Sequence, residues 1–515
     1  MKVLLAGHNV DRELLVEWHR FLELMLDYLN PDRSPDIPRP TELELRAKIR
    51  EWLQADNMTP ETLSAAYARI SRDPRPVDQL RAESRQWVSK ARRSNRSIVF
   101  GLGHNSVAEH ATFNLDVIGL SRLAMESLQM HRLCSYTEKS QRYIRLGQDF
   151  IVPDEIHTMG LSAAFQEYVE RQFARYERIS AILADALGKD PSDTGEDARY
   201  VLPLCVTSQM GLTLNARNLE YLLRCTASSP LSEIREFGRA AFRVVDGVAP
   251  SLIKYTDSTA ALSELAATLR ARVATLRSRV ATLRSRSSDF SPSPSADPPG
   301  NPVRDVTLLW GTPDADRKVL DALFMRAGIP HDASLAPDDC RGFFTALYGN
   351  IEAWDPMPRE FEYAEACFEI RISAAAFGQL KRHRMATLTT APYDPSDGVT
   401  MPPLFHGTDA VEVFSDGVRD AEAMFEMIHA RNPDAAPYPL LNAHRRCLRV
   451  QMNARELNHL ARLRQDQHAQ WDIRGITGRM IEAARDIMPL SLLFACGKDA
   501  FDETRKRLLE PGDSA

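Results

Sequence analysis

The same order of hydrophobic and polar positions occurs twice along the chain. Residues 113–117 alternate as Phe-Asn-Leu-Asp-Val, and residues 368–372 alternate as Phe-Glu-Ile-Arg-Ile. A period of two places the apolar side chains on one face, so each segment predicts a half-buried strand. The apolar run KVLLAG after Met1, which we expect to form a short buried strand, has a counterpart in VTLLWG from Val306.

Helical patterns follow these strands in both halves. Residues 120–132 and 373–384 predict short helices that end in His-Arg, and residues 215–224 and 453–464 each begin with Asn-Ala-Arg and continue with helical apolar spacing. Four landmarks in one order are difficult to obtain by chance. We therefore interpret the two halves as duplicated domains.

A segment of different composition separates the halves. Residues 267–286 repeat a basic sequence of the ATLRSR type, and residues 287–302 are rich in proline and serine. Because so few apolar positions cannot form a buried stripe, the segment is typical of a flexible connector. The predicted domains are 1–257 and 306–515, joined by a linker at 258–305. A nucleic-acid-binding arm is the less favoured interpretation of the linker arginines.

Composition narrows the class of protein. The 515 residues are 44% hydrophobic and 26% charged with a net charge of −6, which is typical of a multi-domain globular protein that binds no nucleic acid. Neither a membrane-length apolar run nor a signal-peptide pattern is present, so we expect a cytoplasmic protein without a membrane partner. Seven scattered cysteines without a Cys-x-x-Cys pair predict neither disulfides nor a metal site.

One segment of the first half is dense in polar side chains. Residues 131–143 read HRLCSYTEKSQRY, with two arginines, a histidine, a glutamate and several hydroxyl groups. Such a set suits a phosphate and a polar heterocycle, because guanidinium groups bind phosphate oxygens in pairs. A solvated, salt-bridged turn is the alternative interpretation.

This segment resembles the signature of flavin-dependent thymidylate synthases, Arg-His-Arg-x-x-Ser-x-Asn-Glu-x-Ser-x-Arg-Tyr. The chain matches it at His131, Arg132, Ser135, Glu138, Ser140, Arg142 and Tyr143. It departs from the signature at Met130, where the family has arginine, and at Thr137, where the family has asparagine. Upstream, residues 103–113 are similar to the family's Gly-His-x-Ser-x-x-Glu-His element, and downstream ARYVLP contains Arg199, at the position of the family's phosphate-binding arginine. The resemblance implies an α+β fold in each domain, with a sheet packed by helices.

The second half resembles the family in a complementary way. It keeps the full triplet Arg382, His383 and Arg384, with Gln379 at the position of a nucleotide-contacting glutamine. The hydroxyl and arginine positions that follow are lost to Thr387, Pro392 and Asp394, and Pro437 replaces the phosphate arginine.

Residues 453–474 of the second half are similar to the family's second signature. The resemblance implies that Asn453, Arg455, Arg464 and His468 contact flavin or nucleotide. If the helix continues through His468, the last two share one face, because they are four residues apart. The corresponding first-half segment, 215–235, is one residue shorter and has no histidine.

These losses predict a composite site, since family members are homotetramers whose active sites lie between subunits. The residues expected to bind substrate are Glu138, Ser140, Arg142, Arg199, Gln379 and Arg464. The residues expected to bind cofactor are His104, His131, Arg132, Arg382, His383, Arg384, Asn453, Arg455 and His468. The candidate catalytic residues are Arg464 and Ser140. Either Arg464 or Arg382 would stabilise negative charge on the pyrimidine, and from Ser140 we expect substrate contact only, because no base adjoins it.

The implied reaction is FAD-dependent reductive methylation of dUMP to dTMP, with methylenetetrahydrofolate as carbon donor and NADPH as reductant. A homodimer would form a pseudo-tetramer with about half of its sites working. Two alternatives stay open: the same chemistry on another pyrimidine nucleotide, and a flavin- or nucleotide-binding protein that has lost catalysis.

Overall fold

The repeat forms two four-stranded antiparallel sheets. The structure is a computed structural model that describes residues 1–30, 41–54, 56–142, 147–264, 268, 272, 305–329 and 337–509. The first sheet has the order β1-β2-β4-β3, with strands β1 (Lys2–His8), β2 (Thr112–Ser121), β3 (Ser135–Glu138) and β4 (Thr207–Asn215). The second has the matching order β5-β6-β8-β7, with strands β5 (Val306–Gly311), β6 (Glu365–Ser373), β7 (Thr387–Thr390) and β8 (Arg445–Asn453).

Helices cover the sheets, which confirms the predicted α+β class. The first half contains α1 (Arg12–Leu29), α2 (Glu42–Gln54), α3 (Glu61–Arg69), α4 (Val77–Gln86), α5 (Val88–Asn95), α6 (Arg122–Leu128), α7 (Asp154–Thr158), α8 (Ser162–Leu187), α9 (Gly195–Ala198), α10 (Ala216–Ala227), α11 (Ser232–Asp246) and α12 (Ala260–Ser263). The second half contains α13 (Ala315–Ala327), α14 (Pro337–Gly349), α15 (Ala374–Leu380), α16 (Ala410–His429), α17 (Ala454–Arg464), α18 (Trp471–Arg485) and α19 (Phe501–Leu509).

The repeated Asn-Ala-Arg sequence is a helix start. The side-chain oxygens of Asn215 and Asn453 accept hydrogen bonds from the backbone N–H of Asn218 and Glu456, which caps α10 and α17. The predicted alternation of β2 is confirmed, because Phe113, Leu115 and Val117 are buried and the intervening residues are exposed.

Two predictions about helix and strand limits are wrong in detail. The helix α6 ends at Leu128, so His131 and Arg132 lie in the turn that follows it. In β1 only Val3 is buried. The reason is position: β1 lies at the sheet edge, where it pairs only with β2.

The two halves share their helical layer. Phe405, Phe414 and Tyr438 of the second half belong to the apolar core that surrounds α8 of the first. Backbone hydrogen bonds cross in both directions, from Leu204 N to Leu440 O (2.8 Å) and from Asn442 N to Leu202 O (2.9 Å). The halves therefore form one packed body with an approximate twofold relation, because equivalent positions exchange equivalent contacts.

Some predicted features fall outside the described residues. Tyr143 and most of the linker, including nearly all of its basic repeat, are among them, so the domain limits at 257 and 305 stay predictions. Within the described ranges, no helix combines the length and apolarity needed to cross a membrane.

Candidate active site

Two first-half arginines are oriented by one glutamate. Arg142 Nε pairs with a carboxylate oxygen of Glu196 (2.6 Å), and Arg199 Nε donates to the backbone carbonyl of the same residue (3.1 Å). Ser140 Oγ accepts from the backbone N–H of Arg142 (3.1 Å), so the serine fixes the turn that carries Arg142. Arg142 and Arg199 are thus held side by side, as the resemblance implies.

The second half supplies further cations to the same place. A terminal nitrogen of Arg142 donates to the carbonyl of His468 (3.0 Å), and Arg464 donates to the carbonyl of Gln379 (3.3 Å). Burial, together with the nearby charges of Arg382 and Arg142, lowers the pKa of Arg464 to about 10. Residues predicted from separate halves therefore lie in one cationic cluster.

Arg199 has unused hydrogen-bonding capacity inside this cluster. Its side chain is buried, and one terminal nitrogen has no hydrogen-bond partner among the described residues. Burial lowers its pKa, and the charges of Arg122 and Arg142 act in the same direction. A buried, incompletely paired guanidinium is costly, and an anionic ligand would satisfy it.

A chain of three side chains orients Arg464. Arg464 Nε donates to His383 Nε2 (3.2 Å), and His383 Nδ1 lies 3.0 Å from a carboxylate oxygen of Glu456. Because Nε2 accepts, Nδ1 carries the proton and donates to Glu456. Burial lowers the pKa of His383, which keeps the ring neutral. Glu456 is absent from the predicted set, although it stands next to Arg455 in the sequence.

The loops after α6 and α15 bind each other. Arg132 donates to the carbonyl of Ala386 (2.9 Å), Arg382 donates to the carbonyl of Tyr136 (3.0 Å), and Arg384 donates to the carbonyl of Cys134. The resemblance places these arginines at the cofactor, whereas their described hydrogen bonds join the two halves.

Glu138 also has partners other than a nucleotide. It accepts from Arg122 (2.8 Å) and Gln129 (2.9 Å), and Lys381 Nζ lies 4.0 Å away. Burial raises the pKa of Glu138, but Arg122 and Lys381 outweigh this effect and lower the pKa to about 2. The carboxylate is therefore ionised and engaged within the chain.

The two first-half histidines of the predicted set, His131 and His104, lie in separate surroundings. The ring of His131 packs edge-on against Tyr221 (5.3 Å between centroids), and burial lowers its pKa to about 4. His104 contacts Arg72 within the same half (3.4 Å). Neither contact joins the cationic cluster.

A cavity of about 550 Å³ opens beside α17. Asn453 and Arg455 line it together with the apolar side chains of Trp354 and Met385 and with Lys498. Arg455 is held by Glu362 (2.9 Å) and by the carbonyl of Met357 (2.7 Å). The volume and the mixture of apolar walls with two cations are typical of a cofactor pocket.

His468 departs from the predicted helix geometry. The helix α17 ends at Arg464, and His468 lies in the following turn, where its N–H donates to Asp466 (2.9 Å). The two residues do not share a helix face, but the turn still brings the His468 carbonyl to Arg142.

The residues that join the two halves around the cationic cluster are absent from the predicted set. Trp471 donates its indole N–H to Asp197 (2.6 Å), and Tyr200 donates to Asp472 (3.0 Å), with the two aromatic rings stacked at 5.4 Å. The sequence offered one signal for them, because Asp197 and Tyr200 stand near Arg199, and Trp471 and Asp472 lie within residues 453–474. No metal-ligand cluster of histidine, cysteine and acidic residues occurs in the described part of the chain.

The class of protein follows from a comparison with known families. The family described as thymidylate synthase complementing protein matches residues 53–251 and 349–490, which together are well over half of the chain. The chain therefore belongs to this family, with one matching segment in each half.

Individual relatives agree with this assignment. The chain is 30% identical over 210 residues to the flavin-dependent thymidylate synthase of Clostridium tetani, covering 38% of this chain and 82% of the relative. It is 34% identical over 163 residues to that of Geobacter sulfurreducens, covering 30% of this chain and 66% of the relative. It is 32% identical over 133 residues to that of Pyrococcus furiosus, covering 24% of this chain and 49% of the relative. The chain thus spans from about half to four fifths of these relatives.

A solved structure is similar at a lower level. It is the UMP/dUMP methylase PolB from Streptomyces cacaoi bound with 5-Br dUMP, which is 18% identical, with coverage of 39% of this chain and 95% of that chain and a TM-score of 0.30. At this TM-score the similarity supports no further step.

Proposed function

We propose that the chain is a flavin-dependent thymidylate synthase that converts dUMP to dTMP at a site formed by both halves. The observation that carries this proposal is the convergence of Arg142, Arg199 and Arg464, with Glu196 as the acidic group that pairs with Arg142. Three clustered cations suit a nucleotide monophosphate, whose phosphate is a dianion. The names of the relatives support the same substrate conversion.

The residues take separate tasks in this proposal. Arg142 and Arg199 bind the phosphate, and Ser140 holds the turn that presents Arg142. Arg464 stabilises the negative charge that develops on the pyrimidine, because its orientation is fixed in advance by His383. Gln379 lies next to Arg464 and contacts the base.

The cavity beside α17 is the proposed flavin site. Its apolar wall at Trp354 and Met385 suits an aromatic ring system, and Arg455 and Lys498 suit phosphate groups. FAD, when bound, supplies the hydride for the reductive step, with NADPH as reductant and methylenetetrahydrofolate as carbon donor. Asn453 and His468 complete the predicted contacts from this half.

A homodimer that acts as a pseudo-tetramer is part of the proposal. Leu133 and Met385 are 72% and 67% exposed, although each follows directly after a His-Arg pair of the candidate site. Large exposed apolar side chains beside a functional site are typical of a surface that a second subunit covers.

The test is an assay of the purified full chain with dUMP, methylenetetrahydrofolate, NADPH and FAD, in which dTMP is identified by mass spectrometry. We expect dTMP to form and the Arg142→Ala variant to bind dUMP about 10- to 100-fold more weakly, since a charge-assisted phosphate contact is lost.

The matched control is Asp394→Ala, at the position in the second half that corresponds to Arg142. We expect it to bind dUMP like the unmodified chain. A protein that takes up neither FAD nor dUMP contradicts the enzyme proposal, and binding without dTMP supports the non-catalytic alternative.

A further inference from the structure

The contact between the halves is reciprocal at two buried tyrosines. Tyr200 of the first half donates to Asp472 of the second, and Tyr438 of the second donates to Glu233 of the first (2.9 Å). Ser373 and Ser121 donate to the same two carboxylates. Equivalent residues thus form equivalent bonds in both directions, as in a symmetric dimer. With these contacts alone, two like halves could pair as well as two unlike halves.

The charged residues of the contact are not symmetric. The first half contributes the largely buried carboxylates Glu126 and Glu138, and the second contributes the largely buried cations Lys381 and Arg446. Arg446 lies 3.3 Å from Glu126, and its guanidinium stacks over Tyr393, which itself donates to Glu126 (3.0 Å).

Equivalent positions carry no matching charges. The shared N-caps Ser121 and Ser373 and the shared strand registers align Glu126 with Gly378 and Glu138 with Thr390. The same alignment pairs Lys381 with Gln129 and Arg446 with Ser208. The two halves are therefore complementary at these positions rather than alike.

The fit is complementary in shape as well. Arg122 of the first half lies against Gly378 of the second, so closely that a Cβ at Gly378 would meet a guanidinium nitrogen at 1.9 Å. In a pair of first halves the residue opposite Arg122 would be Glu126, so the end of the Arg122 side chain would have to move. Gly378 thus leaves room for the guanidinium group of Arg122.

We propose that this interface selects unlike halves and excludes like pairs. Two second halves would bury four cations, from Lys381 and Arg446, without either carboxylate. Two first halves would bury four carboxylates, from Glu126 and Glu138, against only two cations, from Arg122. Uncompensated buried charge is costly enough to decide the pairing. The partner that fits this surface of each half is the opposite half, and the selection does not depend on the proposed reaction.

The direct test uses the full chain, cleaved after purification at a protease site inserted between residues 287 and 302. Two cleaved preparations of different isotopic mass are mixed in mild urea, returned to buffer and analysed by native mass spectrometry. We expect exchanged pairs of unlike halves with few or no like pairs. A statistical mixture of like and unlike pairs overturns the proposal.

A second test needs no reassembly. In the intact chain, Lys381→Glu sets a third carboxylate beside Glu138, and we expect the midpoint of thermal unfolding to fall by about 5 °C or more. Adding Glu138→Gln removes the repulsion between the two carboxylates, while its oxygen can still accept from Arg122, and should recover part of that loss. Losses that simply add in the double variant overturn the proposal, because they show that these charges do not recognise each other.

Discussion

At the scale of single residues, the two halves use the same side chains in different settings. His131 and His383 follow equivalent helices, and each ring packs edge-on against the residue at the same position of α10 or α17, Tyr221 or His459. Only His383 is linked to a carboxylate and an arginine, through Glu456 and Arg464. The sequence identifies both histidines, but it does not say which of them orients an arginine.

Glu456 gives a prediction about this chain of side chains. Glu456→Ala removes the acceptor of His383 Nδ1, so the ring can change tautomer and Arg464 loses its fixed acceptor. We expect the kcat for dTMP formation to fall about 10-fold with a smaller change in KM, because a misplaced catalytic group costs turnover. Steady-state kinetics measures both parameters.

Two variants control that experiment. Glu456→Gln retains an oxygen that accepts from His383 and should keep most of the activity. Glu482→Ala removes an exposed glutamate of the same half and should change nothing. Equal losses in Glu456→Gln and Glu456→Ala would contradict a role through hydrogen bonding.

Glu138 gives a prediction about pH. Its folded pKa of about 2 lies below the ordinary value of 4.5, so its ionised form stabilises the fold above pH 4.5. That contribution, on the order of 3 kcal/mol, is lost as the pH falls from 4.5 towards 2. Urea unfolding of the unmodified chain and of Glu138→Gln should differ most at pH 7 and less at pH 3. A difference that is the same at both pH values would show that Glu138 is not the ionised partner of Arg122.

At the scale of helices and strands, local sequence patterns predicted the elements that local interactions determine. The alternation in residues 113–117 gave β2 because one face of the sheet is buried. The helical relation expected between Arg464 and His468 was wrong because the helix stops at Arg464 and a turn at Asp466, closed by its own side chain, follows it. The edge position of β1 was missed because pairing order depends on the whole sheet.

The strand β2 carries the prediction at this scale. Its pairing with β4 shifts at Gly119, which has φ 76°, whereas β6 pairs with β8 without a shift. Gly119→Ala should cost about 1–2 kcal/mol of unfolding free energy, because a Cβ disfavours this backbone conformation. Gly211→Ala in β4, where no atom lies near the added carbon and φ is not positive, is the control and should cost less than about 0.5 kcal/mol. Chemical denaturation compares the two, and equal costs would refute the explanation from φ.

At the scale of the whole molecule, the pattern of losses in the sequence corresponds to a spatial arrangement. The cluster unites Arg142 and Arg199 of the first half with Arg464 of the second, and the composite site that the complementary motifs predict stays a proposal. What the sequence could not provide is the attachment between halves, since Tyr200 and Asp472 are 272 residues apart and neither stands out in its own segment.

The same arrangement predicts how many nucleotides each chain binds. The twofold relation generates a second place per chain, where Asp394, Pro437 and Met130 stand in the positions of Arg142, Arg199 and Arg382. A carboxylate repels a phosphate, and neither proline nor methionine compensates, so this place should stay empty. Isothermal titration calorimetry with dUMP should therefore give one site per chain rather than two.

The double variant Asp394→Arg and Pro437→Arg tests the reason, since it removes the repulsion and adds two cations. Two sites in the unmodified chain would show that the second place binds without the arginines. A weak second site that appears only in the double variant would show that loss of these charges closed it.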